Sequence, residues 1–430
     1  MGDRPRVVLV GFGFAGLNAA KRLARTEVDV LIVDRRNYFL FTPLLYQVAS
    51  AGLERDSITF PIRALFRRAA NIDYLMGSVG AIDVEGKKVR VDDAWISYDY
   101  LIAATGSVTN YFGNDALETA TLPMKELNEA EVVRNAVLTN FEAASREADA
   151  ERRRALMTVV VVGGGPTGVE MAGALIELIR HPLEKDFPRV PIDQAQVILV
   201  EATGTILSTY LPKMQERALA RLKKMGVGVE LGRAVASVTG DRVTLGDGTV
   251  IRAAAVVWAA GVRAAPPGSA LGAASRAARI PVTPALHLQD HPEIYVVGDL
   301  ALCPEDAYPN GHPMVAPVAT QQGDVAARNV LSAVRGRPQR PFRYHDSGQV
   351  ATIGRRAAVA ELRHLRLSGF PAWVTWLAIH LIRLIGFRNK LVVLLNWAYN
   401  YLTYDRGVRM IVEPVPPPPP AEGSDASPKS

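Results

Sequence analysis

Residues 159–170 read VVVVGGGPTGVE, four β-branched residues followed by Gly163, Gly165 and Gly168 in the GxGxxG register. The run predicts a strand buried on both faces that turns sharply into a helix. In that register the first glycine permits the turn, the second lets backbone approach a pyrophosphate, and the third lets helix and strand pack closely. The start of the helix adds N–H donors and partial positive charge for the same anion. Pro166 and Thr167, inside the turn, belong to the same candidate site.

Residues 6–16, RVVLVGFGFAG, repeat the form with Gly11, Gly13 and Gly16 around Phe14 and Ala15. The copies lie 152 residues apart, and each is followed by a second strand ending in a carboxylate, Asp34 (then Arg35) in one and Glu201 in the other. A carboxylate there accepts hydrogen bonds from adenosine ribose hydroxyls and disfavours a 2′-phosphate. The carboxylates are 167 residues apart, so the second copy carries 15 extra residues, placed around 181–193. Two dinucleotide sites in one chain imply two dinucleotides that must meet.

The surrounding elements are read as holding those sites. Residues 37–52, an apolar and aromatic run containing Pro43, Leu44 and Leu45, are neither periodic nor charged and are suited to covering a flavin ring, with core packing as the alternative. Residues 72–91 are expected to form short antiparallel strands about the turn Gly86-Lys87-Lys88. Residues 100–106 and 254–261 are buried strands ending in small residues, Thr105-Gly106 and Ala260-Gly261, where backbone can lie against a ligand. Their 155-residue offset is close to the 152 of the phosphate turns and makes each half a repeat of the other. Residues 123–154 and 212–226 are expected to be helical. The strand 294–299 ends at Gly298-Asp299, where an aspartate can hold a polyhydroxyl chain. The helix that follows, with Ala319, Gln321, Gln322 and Gly323, would aim its positive end at a reduced ring.

At 430 residues the chain is long enough for two or three domains. Its net charge of +6 is concentrated late: between Arg355 and Arg409 stand nine basic residues and two acidic ones. With no nucleic-acid-binding motif beside it, that basic and apolar end suits an anionic lipid surface. Cys303 is the only cysteine, which excludes disulfides, CxxC chemistry and thiolate metal clusters; no metal site is expected. The sequence enters its first strand without a signal-peptide pattern, so a cytoplasmic setting is expected. The uncharged stretches 367–382 (16 residues) and 391–404 (14 residues) fall short of the ~18 to 20 needed to span hydrocarbon. Edged by Arg383, Arg388, Lys390, Arg406 and Arg409, and carrying Trp373, Trp376, Trp397, Tyr399 and Tyr401, they suit an interfacial lie, with a dimer interface or core helix as the alternative.

Over residues 6–411 the chain resembles the type II NADH dehydrogenases, the single-subunit NADH:quinone oxidoreductases. The resemblance rests on GFGFAG with Asp34, FTPLLYQVASAG, GGGPTGVE with Glu201, VVGD at 296–299, APVATQQG at 316–323 and the closing run GFRNKLVVLLNWAYNYLTYDRG. It implies an α/β fold with two Rossmann-like dinucleotide-binding domains in a disulfide-reductase-like arrangement, plus C-terminal membrane-anchoring helices. The expected division is 1–115 with 290–362 for FAD, 116–289 for NADH, 363–411 for the anchor and 412–430 as a disordered Pro-rich tail. It further implies non-covalent FAD, hydride transfer from NADH to flavin N5, electron transfer to menaquinone or ubiquinone without proton pumping, a homodimer, and a peripheral place on the cytoplasmic side of the cell inner membrane. By the same resemblance Glu170 positions NADH or couples the half-reactions, and Gln321 and Gln322 hydrogen-bond the quinone head group or flavin O4. Many relatives carry lysine at the position of Ser347, so the resemblance does not carry a role in quinone entry over to that position. A sulfide:quinone oxidoreductase needs cysteines this chain lacks. A soluble NADH-dependent reductase of a ferredoxin or rubredoxin, or a redox sensor holding flavin and NADH, is the remaining alternative.

Overall fold

The structure, a computed structural model, describes residues 4–265, 267, 271, 276–403 and 405–412. The first half runs β1 (Arg6–Val10), α1 (Phe14–Leu23), β2 (Asp29–Asp34), α2 (Leu45–Ala49), β3 (Ile72–Met76) and β4 (Tyr100–Ala103). Then follow β5 (Leu122–Pro123), α3 (Leu127–Ala144), β6 (Thr158–Val162), α4 (Pro166–Leu178), β7 (Gln196–Glu201), β8 (Gly228–Leu231) and β9 (Ala255–Trp258). The chain closes with β10 (Ile294–Val296), α5 (Ala316–Val334), β11 (Gln349–Thr352), β12 (Ala358–Leu362), β13 (Leu365–Gly369), α6 (Phe370–Arg383) and α7 (Phe387–Thr403).

Two five-stranded parallel sheets carry the repeat, in the orders β10-β4-β1-β2-β3 and β5-β9-β6-β7-β8. Their central strands are covered on both faces, which is why they read as unbroken Val and Leu runs; every residue of β6 is buried. The late strand β10 pairs with β4, so chain from beyond the second sheet returns to complete the first. Residues 72–76 differ from expectation. They form β3, a parallel edge strand beside β2, and antiparallel pairing begins only at Val79. Their alternating pattern reflects an edge position with only Tyr74 turned to the core. The helical stretch 123–154 is likewise divided: α3 opens with a capping box between Glu126 and Glu129, and Asp149 caps a separate helix, Ala150–Leu156, by accepting the Arg152 N–H.

Helices α1 and α5 pack backbone to backbone. A Cβ on Gly323 would stand 2.1 Å from the Ala15 carbonyl oxygen. Gly323→Ala is therefore expected to destabilise the protein by about 1 to 3 kcal/mol through overpacking, read as a fall of several degrees in thermal unfolding. An unchanged transition would show that the two helices can separate freely.

The C-terminal helices are two-faced. In α6 the buried positions are Ala372, Trp376 and His380, one turn apart, while Phe370, Val374 and Ile382 face outward. In α7, Asn389, Val393, Trp397 and Asn400 face the protein, where Asn389, Trp397 and Asn400 bond to Thr59, Gln47 and Gly52. Phe387, Leu391, Leu394, Leu395 and Leu402 form the opposite, exposed stripe. No helix among the described residues is long and apolar enough to cross a membrane. The tryptophans differ from the belt expected of them: Trp376 is 1% exposed and Trp373 and Trp397 are half-buried, while the outward aromatics are Phe370, Phe387 and Tyr399. Most of the tail read as disordered, 413–430, lies outside the described residues.

Candidate functional site

The two phosphate turns are built alike. The Gly11 N–H bonds to Val33 O and the Gly163 N–H to Val200 O, both at 2.8 Å. Asp34 accepts the Phe12 N–H (2.6 Å) and Glu201 the Gly164 N–H (2.5 Å), so each strand-end carboxylate also braces its own turn. Left-handed backbone at Gly11 and Gly163 (φ +93° and +112°) makes the turn. Gly16 and Gly168 then lie against the carbonyls of Gly11 and Gly163, the close packing expected of the third glycine. At Gly13 and Gly165, by contrast, a Cβ would meet nothing within 4 Å. The space above both turns is open.

Above the first turn lies a cleft of about 390 Å³. Gly11, Gly13, Phe14, Ala15, Asp34, Arg35, Thr105, Gly106, Gly298, Asp299 and Ala319 line it together. From the apolar run, Leu40 and Thr42 line it instead of Pro43, Leu44 and Leu45; Leu44 and Leu45 are buried in the core. Gln322, fully buried, accepts the Gly298 N–H on Oε1 (2.7 Å) and leaves Nε2 without a partner among the described residues. The cleft fits FAD: free N–H groups at the start of α1, a strand-end carboxylate for a ribose, an aspartate at the Gly298 turn, and an unspent amide donor beneath it.

Sequence reasoning missed part of this cleft. Lys125 and Glu126, which lead into α3, also line it. Lys125 Nζ stands 3.8 Å from Asp299, which also accepts the Ser107 hydroxyl. Glu126 pairs with both Arg35 and Arg36 beside Asp34. Within the run MKELNEA these residues read only as a charged helix start; their position over the cleft comes from the packing of the two halves.

A second, apolar pocket of about 120 Å³ lies under α6 and α7, lined by Tyr46, Gln47, Glu170, Thr352, Trp376 and Trp397 among others. Glu170 lies in the second turn of α4 rather than the first, and lines this pocket, not the cleft. Its Oε1 accepts the Thr352 N–H (3.2 Å) and the Trp376 indole N–H (3.0 Å). Burial raises its pKa from 4.5 to about 8, against the opposing pull of those two hydrogen bonds. Burial therefore favours its protonated form at neutral pH. Trp376 also stacks on His380, whose pKa burial lowers to about 4, so that imidazole is neutral. Arg406 closes the far side, donating to Ser50 O and Ala174 O and pairing with Glu177 at 3.4 Å. Gln321 takes a different place from Gln322: its amide bonds to the His345 N–H and C=O, each at 2.9 Å, and so holds that loop.

The comparisons with known proteins agree over nearly the whole chain. Residues 5–323 match the pyridine nucleotide-disulphide oxidoreductase family, and residues 347–404 match the NDH2 C-terminal domain. The chain is 40% identical over 426 residues to the type II NADH:quinone oxidoreductase Ndh of Mycobacterium tuberculosis, covering 95% of this chain and 91% of that protein. It is 38% identical to NdhA of the same organism, covering 95% and 89%. The fold superposes on NDH2 of Plasmodium falciparum, solved in complex with NADH, with a TM-score of 0.87 at 18% identity, over 95% of this chain and 100% of that one.

Proposed function

The chain belongs to the type II NADH:quinone oxidoreductase family, and from that premise we propose that it oxidises NADH bound at the second phosphate turn and reduces a quinone held in the apolar pocket, with FAD in the cleft between them. The observation that carries this reading is the course of residues 40–52, whose first residues line the cleft and whose last line the apolar pocket. FAD, when bound, supplies a two-electron carrier that accepts hydride from one substrate and passes electrons to the other. We assign residues 1–115 with 290–362 to its binding and 116–289 to NADH.

The chain's own residues hold distances and move protons. Glu201 takes the adenosine ribose of NADH, and the start of α4 takes its pyrophosphate. Asp34 and Asp299 would hold FAD at its ribose and ribityl ends, with Gln322 bracing the Gly298 turn beside Asp299. Quinone reduction consumes protons, and Glu170 supplies one: both of its hydrogen-bond donors are spent on Oε1, so the proton resides on Oε2. Trp376 and Thr352 fix that orientation, and the aromatic walls exclude water. Gln321 acts through the His345 loop. The reaction is proposed to couple no proton translocation. The test is steady-state NADH oxidation by the purified yellow protein with a short-chain quinone, beside a protein electron carrier as alternative oxidant. Turnover with the carrier alone overturns the proposal.

The exposed stripes of α6 and α7, ringed by Arg383, Arg388 and Lys390, are proposed to lie in the surface of the cell inner membrane on its cytoplasmic side, where the quinone dissolves. Each stripe residue is worth about 1.5 to 3 kcal/mol when buried in lipid. Replacing Ile382, Phe387, Leu395 and Leu402 together by glutamate is expected to weaken partition onto anionic vesicles more than about 100-fold while leaving the flavin bound. Undiminished cosedimentation would move the anchor elsewhere.

A further inference from the structure

Phe112 is a large apolar side chain left 68% exposed, on backbone in the left-handed region (φ +55°). For a bulky residue that conformation is costly and persists only where the surroundings impose it. They do so here. The Phe112 N–H bonds to the Asn110 side-chain oxygen at 2.9 Å, the Asn114 N–H to Tyr111 O at 3.1 Å, and the Asn114 side chain caps the next helix, Asp115–Ala120. The turn is also tied to the second sheet: the Asn110 N–H bonds to Gly261 O (3.1 Å), the Trp258 indole donates to Asn110 O (2.9 Å), and Tyr111 packs on Trp258 with ring centroids 5.3 Å apart.

This scaffold fixes where the exposed ring sits. A Cβ added to Gly261 would lie 3.5 Å from Phe112 Cζ. One added to Gly163 would lie 2.7 Å from Ala260 Cα. The ring therefore stands beside the end of β9, next to the phosphate turn. Glu201, at the end of β7, lies on the opposite side of β6 in the strand order. A dinucleotide with its adenosine ribose at Glu201 and its pyrophosphate at Gly163 extends its other half over Gly261, toward this ring.

Resting on the NADH site proposed above, we propose that Phe112 is a positioning residue for the nicotinamide riboside half of NADH, a fixed aromatic platform at the end of β9. Trp258 and Asn110 hold it in place and touch no substrate. An aromatic contact of this kind is worth about 3- to 10-fold in affinity.

The test compares NAD⁺ with ADP-ribose, which keeps the adenosine and both phosphates but lacks nicotinamide, each titrated calorimetrically into oxidised holoprotein. Phe112→Ala is expected to weaken NAD⁺ about 3- to 10-fold, leave ADP-ribose within twofold, and raise the NADH concentration needed for half-maximal flavin bleaching in rapid mixing. Phe112→Tyr is expected to restore NAD⁺ affinity, and Phe112→Gly, which suits the left-handed backbone, to bind like the alanine variant while unfolding at no lower temperature. Equal weakening of both ligands, or weakening of neither, overturns the platform. If the unsubstituted protein binds neither ligand, the NADH site falls and the platform with it.

Discussion

In Glu170→Gln, quinone reduction is expected to slow about 100-fold and to lose its dependence on alkaline pH, while bleaching of the flavin by NADH proceeds as before. The carboxyl is protonated until about pH 8, so the unsubstituted protein reoxidises fastest below that pH and slows above it as the proton is lost. Glutamine keeps an oxygen for Trp376 and Thr352 but has no proton to give. Rapid mixing of reduced protein with a short-chain quinone, from pH 6 to 10, reads the two profiles. The same shift acts on folding. Glu170 keeps its proton in the fold up to about pH 8, whereas in the unfolded chain it is ionised above about 4.5. Its contribution to stability is therefore greatest below pH 4.5, declines by about 1.4 kcal/mol per pH unit up to about 8, and is flat beyond. Glutamine removes that decline, so the variant gains on the unsubstituted protein across this window in urea unfolding. A variant that keeps the alkaline limb of quinone reduction would place the proton donor at another group.

The second large effect separates the two dinucleotides. At Gly13 and Gly165 an added methyl touches no protein atom, so neither substitution strains the fold. The methyl instead occupies the space a pyrophosphate must approach. Gly13→Ala is expected to yield a folded, colourless protein that takes up added FAD more than about 100-fold less tightly. Gly165→Ala should purify yellow and require about 100-fold more NADH to bleach, with the flavin still reducible by dithionite. Flavin spectra and circular dichroism decide both. A yellow Gly13→Ala protein would remove the first turn from the FAD site.

Much of this architecture could be read from the sequence because it is encoded locally. A strand and its glycine turn are set by a dozen consecutive residues, and their recurrence after 152 positions exposed the repeat. What escaped depends on contacts distant in sequence. The aromatic content of 373–401 indicates a polar–apolar boundary equally well for a membrane edge and for a pocket wall, and only the packing of α6 on β11 and α4 turns Trp376 toward Glu170, 206 positions away. Pro43, Leu44 and Leu45 were the most conspicuous residues of their run, yet the 3-10 turn Thr42–Leu44 rotates Thr42 to the cleft and Leu44 into the core. Lys125, Glu126 and Phe112 lie in segments that join the halves, where function follows from how the halves meet.

Helix α6 has no idle side. Its outward positions meet the surroundings while on the reverse Trp373, Trp376 and Leu377 line the chamber around a buried acid. A transplanted amphipathic helix of equal greasiness would keep such a protein at a lipid surface, yet would strip Glu170 of its indole partner. On the proposed reading, tether and reaction chamber are one piece of chain, and neither can be exchanged alone.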